Sequence, residues 1–221
     1  MRLFSRLPTT LSTYGIRTGL AAAYFIRGGR FIEREQYQQA IEDLSASLRY
    51  RPNNQDAYND RGVAYGKELQ YDHAISDYTQ AIHLDQKLDI AYLNRSFVYL
   101  HEGLCDRAIA DDQQALNLQP EDPNGYNALA WVLATCPRAE FRNGGEAVAS
   151  AKKACQLSLN PEFIDTLAAA FAEAGDFDAA IAAEQQALSH TNVDEFRERL
   201  RLYQQHEPYR VNMEIGRRRS S

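Results

Sequence analysis

The pattern of apolar and polar positions in residues 58–84 predicts an amphipathic helix, a short break and a second amphipathic helix. The same pattern recurs along the chain with a step of 34 residues. The recurring positions are Tyr24, Tyr58, Tyr92 and Tyr126; Ala40, Ala74 and Ala108; and Ser47, Ala81 and Ala115. A fixed step of this length is typical of stacked helix-turn-helix units, so we expect an all-α fold built from helical hairpins.

The spacing of bulky and small residues within each unit resembles the tetratricopeptide repeat, in the style found in bacterial proteins. In the second unit the marking residues are Tyr58, Gly62, Tyr65, Ala74, Tyr78 and Ala81. The resemblance implies an α-solenoid of five repeats with a C-terminal capping helix, in a tetratricopeptide domain over residues 21–206. The repeats are placed at 21–54, 55–88, 89–122, 123–160 and 161–194, with the cap at 194–206. Residues 1–20 are then a basic N-terminal extension, and residues 207–221 a basic C-terminal tail that we expect to be mobile.

The fourth repeat departs from the regular step. Ala147 follows Ala108 by 39 residues, which is five more than the period. Pro137 and the pair Gly144–Gly145 disfavour a continuous helix there. The extra residues therefore predict a loop at the tip of the fourth hairpin.

Two positions change together between repeats. Three repeats have Arg at their seventh position and Asp at their twenty-third, whereas the last two repeats have Leu at the seventh and no acid at the twenty-third. The pairs are Arg27 with Asp43, Arg61 with Asp77, and Arg95 with Asp111. Because a guanidinium can donate two hydrogen bonds to one carboxylate, we predict structural Arg–Asp ion pairs, within a repeat or to its neighbour. The alternative is a set of exposed side chains inherited by duplication.

The charge distribution limits the class of partner. Eight of the 24 basic residues lie in residues 1–32 and 217–219, which contain no acid, so the remaining body has 16 basic against 30 acidic residues. Such an acidic body repels phosphate, which argues against nucleic acid. No apolar run is long enough to span a membrane.

The residue set predicts no catalytic, metal or cofactor site. The five His residues are scattered, and neither a phosphate-binding loop nor a nucleophile elbow is present. Three Cys residues fit a reducing compartment better than a disulfide scaffold. Cys136 and Cys155 both lie in the fourth repeat, where either a redox pair or two packed thiols is compatible with the spacing.

The family resemblance implies a groove lined by the first helix of each repeat. Carried over by position, its centre holds Asn59, Val63, Leu93, Phe97, Asn127 and Trp131, with Leu100 and Asp165 at the flanks. Asn side chains suit the backbone of an extended peptide, and large aromatic side chains suit an apolar anchor. The alternative for Trp131 is packing between neighbouring repeats. The Lys and Asn pair that captures acidic chain ends in some family members is missing, so a basic or apolar partner segment is expected.

The sequence favours a non-enzymatic scaffold or adaptor that binds a peptide or helix of a partner protein. A fixed subunit of a larger assembly is the alternative, and a redox protein that uses cysteines is a third, weaker one. We expect a cytoplasmic protein, or an organelle-targeted one if residues 1–20, which are rich in Arg, Ser and Thr, act as a transit segment.

Overall fold

The computed structural model describes the backbone of residues 9–212 and the side chains of residues 15–212. This part of the chain forms eleven α-helices, one short 3₁₀ turn at Ala139–Phe141 and no strand. The helices are α1 (Thr9–Glu33), α2 (Tyr37–Tyr50), α3 (Gln55–Lys67), α4 (Tyr71–Leu84), α5 (Asp89–His101), α6 (Cys105–Leu118), α7 (Pro123–Thr135), α8 (Gly144–Leu157), α9 (Pro161–Glu173), α10 (Phe177–His190) and α11 (Asp194–Gln204). The predicted all-α fold of helical hairpins is confirmed.

The helices are grouped into two compact units. The first unit extends to Gln86 and contains α1 to α4, and the second begins at Lys87 and contains α5 to α11. In each unit consecutive helices pair as hairpins, and the first helix of one repeat also contacts the first helix of the next. The second unit contains the third, fourth and fifth repeats together with the cap.

Helix α1 is longer than the other first helices. It has 25 residues, against 13 in α3, α5, α7 and α9. The additional turns belong to the N-terminal extension, so residues 9–20 continue the first helix of the first repeat. All six residues from Gly15 to Leu20 are exposed.

In four of the five repeats, the turn between the two helices contains one residue with a left-handed backbone conformation. Glu35, Leu69, Gly103 and Gly175 occupy the same repeat position and have φ angles of 58°, 58°, 71° and 84°. In the fourth repeat this position holds Pro137, whose ring fixes φ at a negative value. The fourth hairpin therefore cannot use the same turn. It connects its helices through residues 136–143, where the sequence predicted a loop.

The three Arg–Asp pairs each lie within one repeat. The Arg Nε to Asp Oδ2 distances are 2.5 Å for Arg27–Asp43, 2.7 Å for Arg61–Asp77 and 2.8 Å for Arg95–Asp111, and a terminal guanidinium nitrogen bonds the other carboxylate oxygen. Their surroundings differ. The Arg27 side chain is 60% exposed, whereas those of Arg61 and Arg95 are 18% and 15% exposed. The latter two guanidinium groups lie between two tyrosine rings of their own helix.

The expectation for Cys136 is wrong under both alternatives, because Cys136 forms a disulfide with Cys105. Cys155 is a free thiol, as the second alternative had it. Cys105 begins α6 and Cys136 follows α7, so both lie at hairpin tips of consecutive repeats. Cys155 is near the other end of α8, roughly 16 Å along the helix axis from its start. Repeat stacking therefore brings Cys105, rather than Cys155, next to Cys136.

The C-terminal tail is only partly as predicted. Residues 207–212 are ordered against the second unit: the Val211 N–H donates to Thr135 O at 3.0 Å, and Val211 is 3% exposed. The prediction of a mobile tail from Glu207 onward is therefore wrong for this segment. The predicted basic run Arg217–Arg219 lies outside the described residues.

Candidate functional site

The second unit contains a cleft between the first helices of its repeats and the capping helix. Its volume is about 420 Å³. Helices α5, α7, α9 and α11 all contribute to the walls. The lining residues are Ile90, Leu93, Asn94, Phe97, Asn124, Asn127, Ala128, Trp131, Glu162, Asp165, Thr166, Phe196 and Arg199. A concave site of this size, largely apolar with a few polar groups, has the character of a binding cleft.

Helix α5 supplies the most exposed apolar wall. Phe97 is 54% exposed and Ile90 is 45% exposed, although both are large apolar side chains. They lie on the same side of α5 as Leu93, because residues three or four apart share a helix face. The Phe97 ring contacts the His101 ring at a centroid distance of 4.5 Å, which supports it from one side. This wall therefore offers apolar surface that no described residue covers.

Trp131 on α7 is the second large aromatic side chain of the cleft lining. The Arg199 guanidinium lies 5.4 Å from its ring, and the Tyr209 ring lies 5.7 Å away at an interplanar angle of 35°. Trp131 is half-buried, and it also contacts the apolar core of the second unit. It has both of the roles that the sequence left open, since it packs between elements and also lines the cleft.

A buried ion pair closes the cleft at α9 and α11. Arg199 Nε donates to Asp165 Oδ1 at 2.6 Å, and these residues are only 8% and 4% exposed. Glu184 on α10 is fully buried beside them. Burial, together with the charge of Asp165, raises the pKa of Glu184 to about 10. The raised pKa favours the neutral form of Glu184. Burial also raises the pKa of Asp165, while the charge of Arg199 acts to lower it.

The Asn127 amide adds an unused acceptor. Its Oδ1 atom is buried and has no hydrogen-bond partner among the residues that the structure describes. Asn127 lines the cleft between Asn124 and Trp131 on the same helix. A buried carbonyl oxygen without a donor costs free energy.

The predicted groove residues are not all in this cleft. Leu93, Phe97, Asn127, Trp131 and Asp165 line it. Leu100 is on the same helix as Phe97, but it is fully buried and faces the core.

Asn59 and Val63 belong to α3 in the first unit. Asn59 is 9% exposed and Val63 is half-buried. The cleft of the second unit is therefore formed without them.

Sequence reasoning missed two residues of the capping helix. Phe196 follows Glu162 by 34 residues, and Arg199 follows Asp165 by the same step. Continuing the repeat period into the cap would have found both, because α11 occupies the place of a further first helix. The cap was not recognised as a further first helix because it has no small residues at the positions that mark the repeat.

Neither a metal site nor a membrane span is present in the part of the chain that the structure describes. No group of three or more His, Cys, Asp or Glu side chains there is arranged to hold a metal ion. No described helix has the length and apolar character that crossing a membrane requires.

Comparisons with known proteins agree with this architecture. A family model described as TPR repeat matches residues 28–68, and one described as tetratricopeptide repeat matches residues 55–88. The structure resembles a thermophilic TPR protein of Thermus thermophilus, with a TM-score of 0.70 at 18% identity, over 84% of this chain and 99% of that one. No curated protein sequence gives a significant match.

Two further solved structures share the fold. PilF of Pseudomonas aeruginosa has a TM-score of 0.67 at 18% identity, over 85% of this chain and 90% of that one. The first TPR of Spaghetti (RPAP3), solved with the HSP90 peptide SRMEEVD, has a TM-score of 0.51 at 22% identity, over 52% of this chain and 91% of that one. The two family models show tetratricopeptide repeats within residues 28–88, and the solved structures show that the chain has the fold of tetratricopeptide repeat proteins. Such proteins generally act as protein–protein interaction scaffolds and are typically not enzymes.

Proposed function

We propose that the second unit is the binding module of an adaptor, and that its cleft holds an apolar or basic segment of a partner protein. The observation that carries this proposal is the exposed apolar wall of Phe97 and Ile90, which lines the same cleft as Trp131. Exposed aromatic anchors beside a concave surface are the usual energetic centre of a protein interface.

The charges around the cleft favour a basic rather than an acidic segment. Asp165 and Arg199 form an ion pair, and the raised pKa of Glu184 favours its uncharged form. Glu162 then adds a negative charge to the lining. A Lys or Arg side chain of the partner would therefore meet a net negative rim, which mainly favours the encounter and the choice of partner.

An acidic chain end is the wrong partner for this cleft. The Spaghetti domain was solved with a peptide ending in EEVD. The family's carboxylate-binding Lys and Asn fall here on Leu93 and Phe97. Without a cation at those positions, a terminal carboxylate would lose its water without gaining a partner.

Trp131 makes a direct test possible, because it is the only tryptophan of the chain and lies in the cleft. Three synthetic peptides are titrated while Trp131 emission is followed: an amphipathic Leu/Lys helix, an extended alternating Val/Lys peptide, and SRMEEVD. A basic apolar peptide is expected to shift the emission in a saturable way, and SRMEEVD is not. The extended and helical probes distinguish the two modes of recognition.

Phe97→Ala is the matching variant, and it should weaken the response at least tenfold. Leu159→Ala is the control, since Leu159 is 72% exposed in the same unit but does not line the cleft. If Phe97→Ala binds as tightly as the parent, the cleft is not the binding surface. Absence of any saturable response with either basic peptide would also count against the proposal.

The second candidate function is that of a fixed subunit in a larger assembly. Exposed apolar side chains on α1 favour it. Ile16 and Ile26 are 60% and 56% exposed on this helix. Size-exclusion chromatography with light scattering separates the candidates: a stable monomer supports the adaptor, whereas aggregation without a partner supports the subunit.

The disulfide favours an oxidising compartment over the cytoplasm, because cytosolic thiols are normally kept reduced. Thiol trapping in the native cell tests this: one free thiol, from Cys155, is expected if the Cys105–Cys136 bond is present. Three trapped thiols would restore the cytoplasmic assignment.

A further inference from the structure

The C-terminal end of α7 is held by donors from outside the helix. The last carbonyl groups of a helix have no partner within it and are commonly left to water. Here Leu133 O accepts from Asn143 N at 3.0 Å, Thr135 O from Val211 N at 3.0 Å, and Cys136 O from Arg142 Nη1 at 3.0 Å. Ala134 O accepts from Arg210 Nη1 at 3.3 Å. Two of the four acceptors are therefore bound by the C-terminal segment, far away in the sequence.

Residues 207–212, which form a C-terminal strap, are also fixed by charge. Arg210 forms an ion pair with Glu173 at the end of α9. Glu173 also binds Arg142 Nε at 3.0 Å, so one carboxylate joins the strap to the inserted loop. Its side chain is only 14% exposed. A shared, poorly solvated carboxylate holds two guanidinium groups more firmly than an exposed ion pair would.

The strap places Tyr209 against the aromatic wall of the cleft. Its ring contacts Trp131 on one side, and the Arg199 guanidinium lies 5.4 Å from both rings. Phe196 completes the enclosure, with its ring 5.1 Å from Arg199. Tyr209 itself does not line the cleft. It is therefore placed to act on the cleft through Trp131.

We propose that the strap is part of the binding site, and that Tyr209 is a positioning residue that holds Trp131 in the orientation a partner segment meets. A fixed aromatic anchor loses less conformational entropy on binding than a mobile one, so the strap increases affinity without touching the ligand. The binding consequence rests on the proposed function. The effect on Trp131 does not.

The strap also limits how the occupant lies. It covers the C-terminal end of α7, while the cleft uses the N-terminal part from Asn124 to Trp131. The lining residues of α9, Glu162 to Thr166, likewise lie in its first half. A bound segment therefore ends or turns away at Trp131. Peptides extended past this point should gain no further affinity.

Acrylamide quenching of Trp131 fluorescence tests the positioning role without any ligand. Tyr209→Ala is expected to increase the quenching constant at least twofold and to shift the emission to longer wavelength. Tyr209→Phe keeps the ring and should match the parent. Arg210→Ala removes the ion pair with Glu173 and should give a smaller increase. An unchanged quenching constant in Tyr209→Ala overturns the proposal.

Two further measurements distinguish positioning of Trp131 by Tyr209 from a general role of Tyr209 in stability. Far-UV circular dichroism and the urea midpoint of Tyr209→Ala should stay near those of Tyr209→Phe. If Tyr209→Ala unfolds the unit, Arg210→Ala decides: a folded variant with parent-like quenching contradicts the proposal.

The basic peptide probe is then titrated into the same variants. Its affinity should fall at least fivefold in Tyr209→Ala and be retained in Tyr209→Phe. If the parent binds neither basic peptide but the quenching result holds, the proposed function fails and the positioning of Trp131 stands. Equal peptide affinity in Tyr209→Ala and the parent refutes the role of the strap in binding.

Discussion

The first three repeats and the C-terminal region use charged side chains in different ways. In the first three, each Arg–Asp pair joins residues 16 positions apart and closes one hairpin. The links made by residues after α6 span longer stretches of chain: 31 residues for Cys136 to Cys105 in α6, 34 for Arg199–Asp165 and 37 for Arg210–Glu173. The former stabilise a repeat by itself, while the latter join consecutive repeats, the cap and the strap.

This difference explains where the cleft is formed. In a repeat array, stability is approximately the sum of the repeats and their interfaces, so local pairs leave each repeat separately replaceable. The cleft needs residues from four helices held at fixed distances. The longer links join these helices in addition to their apolar packing, and Arg199 and Asp165 line the cleft themselves. The comparison predicts that breaking a long link affects both stability and binding, whereas breaking a local pair affects stability alone.

The largest effect is expected for Arg199→Ala. This change leaves the buried Asp165 carboxyl without its cationic partner, which typically costs about 3–5 kcal/mol. Urea unfolding followed by Trp131 fluorescence measures it, because this signal reports only on the second unit. Arg197→Ala is the control: its pair with Asp194 is exposed, so a change below about 1 kcal/mol is expected.

The double variant Arg199→Met/Asp165→Asn sharpens this test. Removing both charges from a buried pair is often nearly neutral, so it should recover much of the lost stability. It should not recover peptide binding if the pair shapes the cleft. If Arg199→Ala has the same urea midpoint as Arg197→Ala, the buried link stabilises no more than an exposed pair. The proposed difference between local pairs and longer links would then be wrong.

Next in size is the loss of the disulfide. Cys105→Ala/Cys136→Ala releases a loop of about thirty residues in the unfolded chain, which typically costs about 2–4 kcal/mol. The Trp131-detected urea midpoint should fall accordingly. Cys155→Ala is the control, since this thiol is free and half-buried. A double variant with the parent midpoint would exclude this bond as a stabilising link.

Arg61→Ala tests a local pair and should cost about 1–3 kcal/mol, because Asp77 is 5% exposed and loses two charge-assisted hydrogen bonds. Circular dichroism at increasing urea follows this change, which lies in the first unit. Arg27→Ala is the matched variant, and its midpoint should stay near the parent value because the Arg27 side chain is mostly exposed. Peptide binding should be unchanged in both. Weaker binding in Arg61→Ala would show that local pairs also control the cleft.

The regular features of this molecule were readable from the sequence because they repeat. The 34-residue step predicted the helical hairpins. Co-variation between repeats predicted the three Arg–Asp pairs. Repeat position predicted five of the thirteen residues that line the cleft. It was wrong for Leu100, since the outward or inward direction of a side chain depends on how neighbouring helices pack.

The links that occur once carry no such signal. Nothing in a single sequence indicates that Cys136 meets Cys105, or that Val211 meets Thr135. The pair Gly144–Gly145 shows the same limit. By residue type, both glycines disfavour a helix equally. Only Gly144 lies so close to a neighbouring backbone that an added Cβ would be 2.6 Å from the Ala174 nitrogen. Such contacts depend on tertiary packing, which periodicity cannot specify.

The last prediction concerns the pH dependence of stability and Glu184, which is buried beside the Asp165–Arg199 link and Tyr203. Its pKa is about 10 in the folded chain against an ordinary value of 4.5. Between these values the folded state holds a proton that the unfolded state has lost, so the free energy of unfolding falls as pH rises through this window. The contribution is complete below pH 4.5 and is lost by about pH 10.

Glu184→Gln should flatten this dependence, because the amide is neutral at every pH. The Trp131-detected urea midpoint of this variant should exceed that of the parent by more at pH 9 than at pH 5. Glu195→Gln, which removes an exposed carboxyl of α11, controls for the loss of one acid. Parallel pH curves for Glu184→Gln and the parent would mean that Glu184 is ionised in the folded chain. The long link would then carry two negative charges against one Arg199, and Arg199→Ala would have to cost far more than the loss of the disulfide or of any local pair.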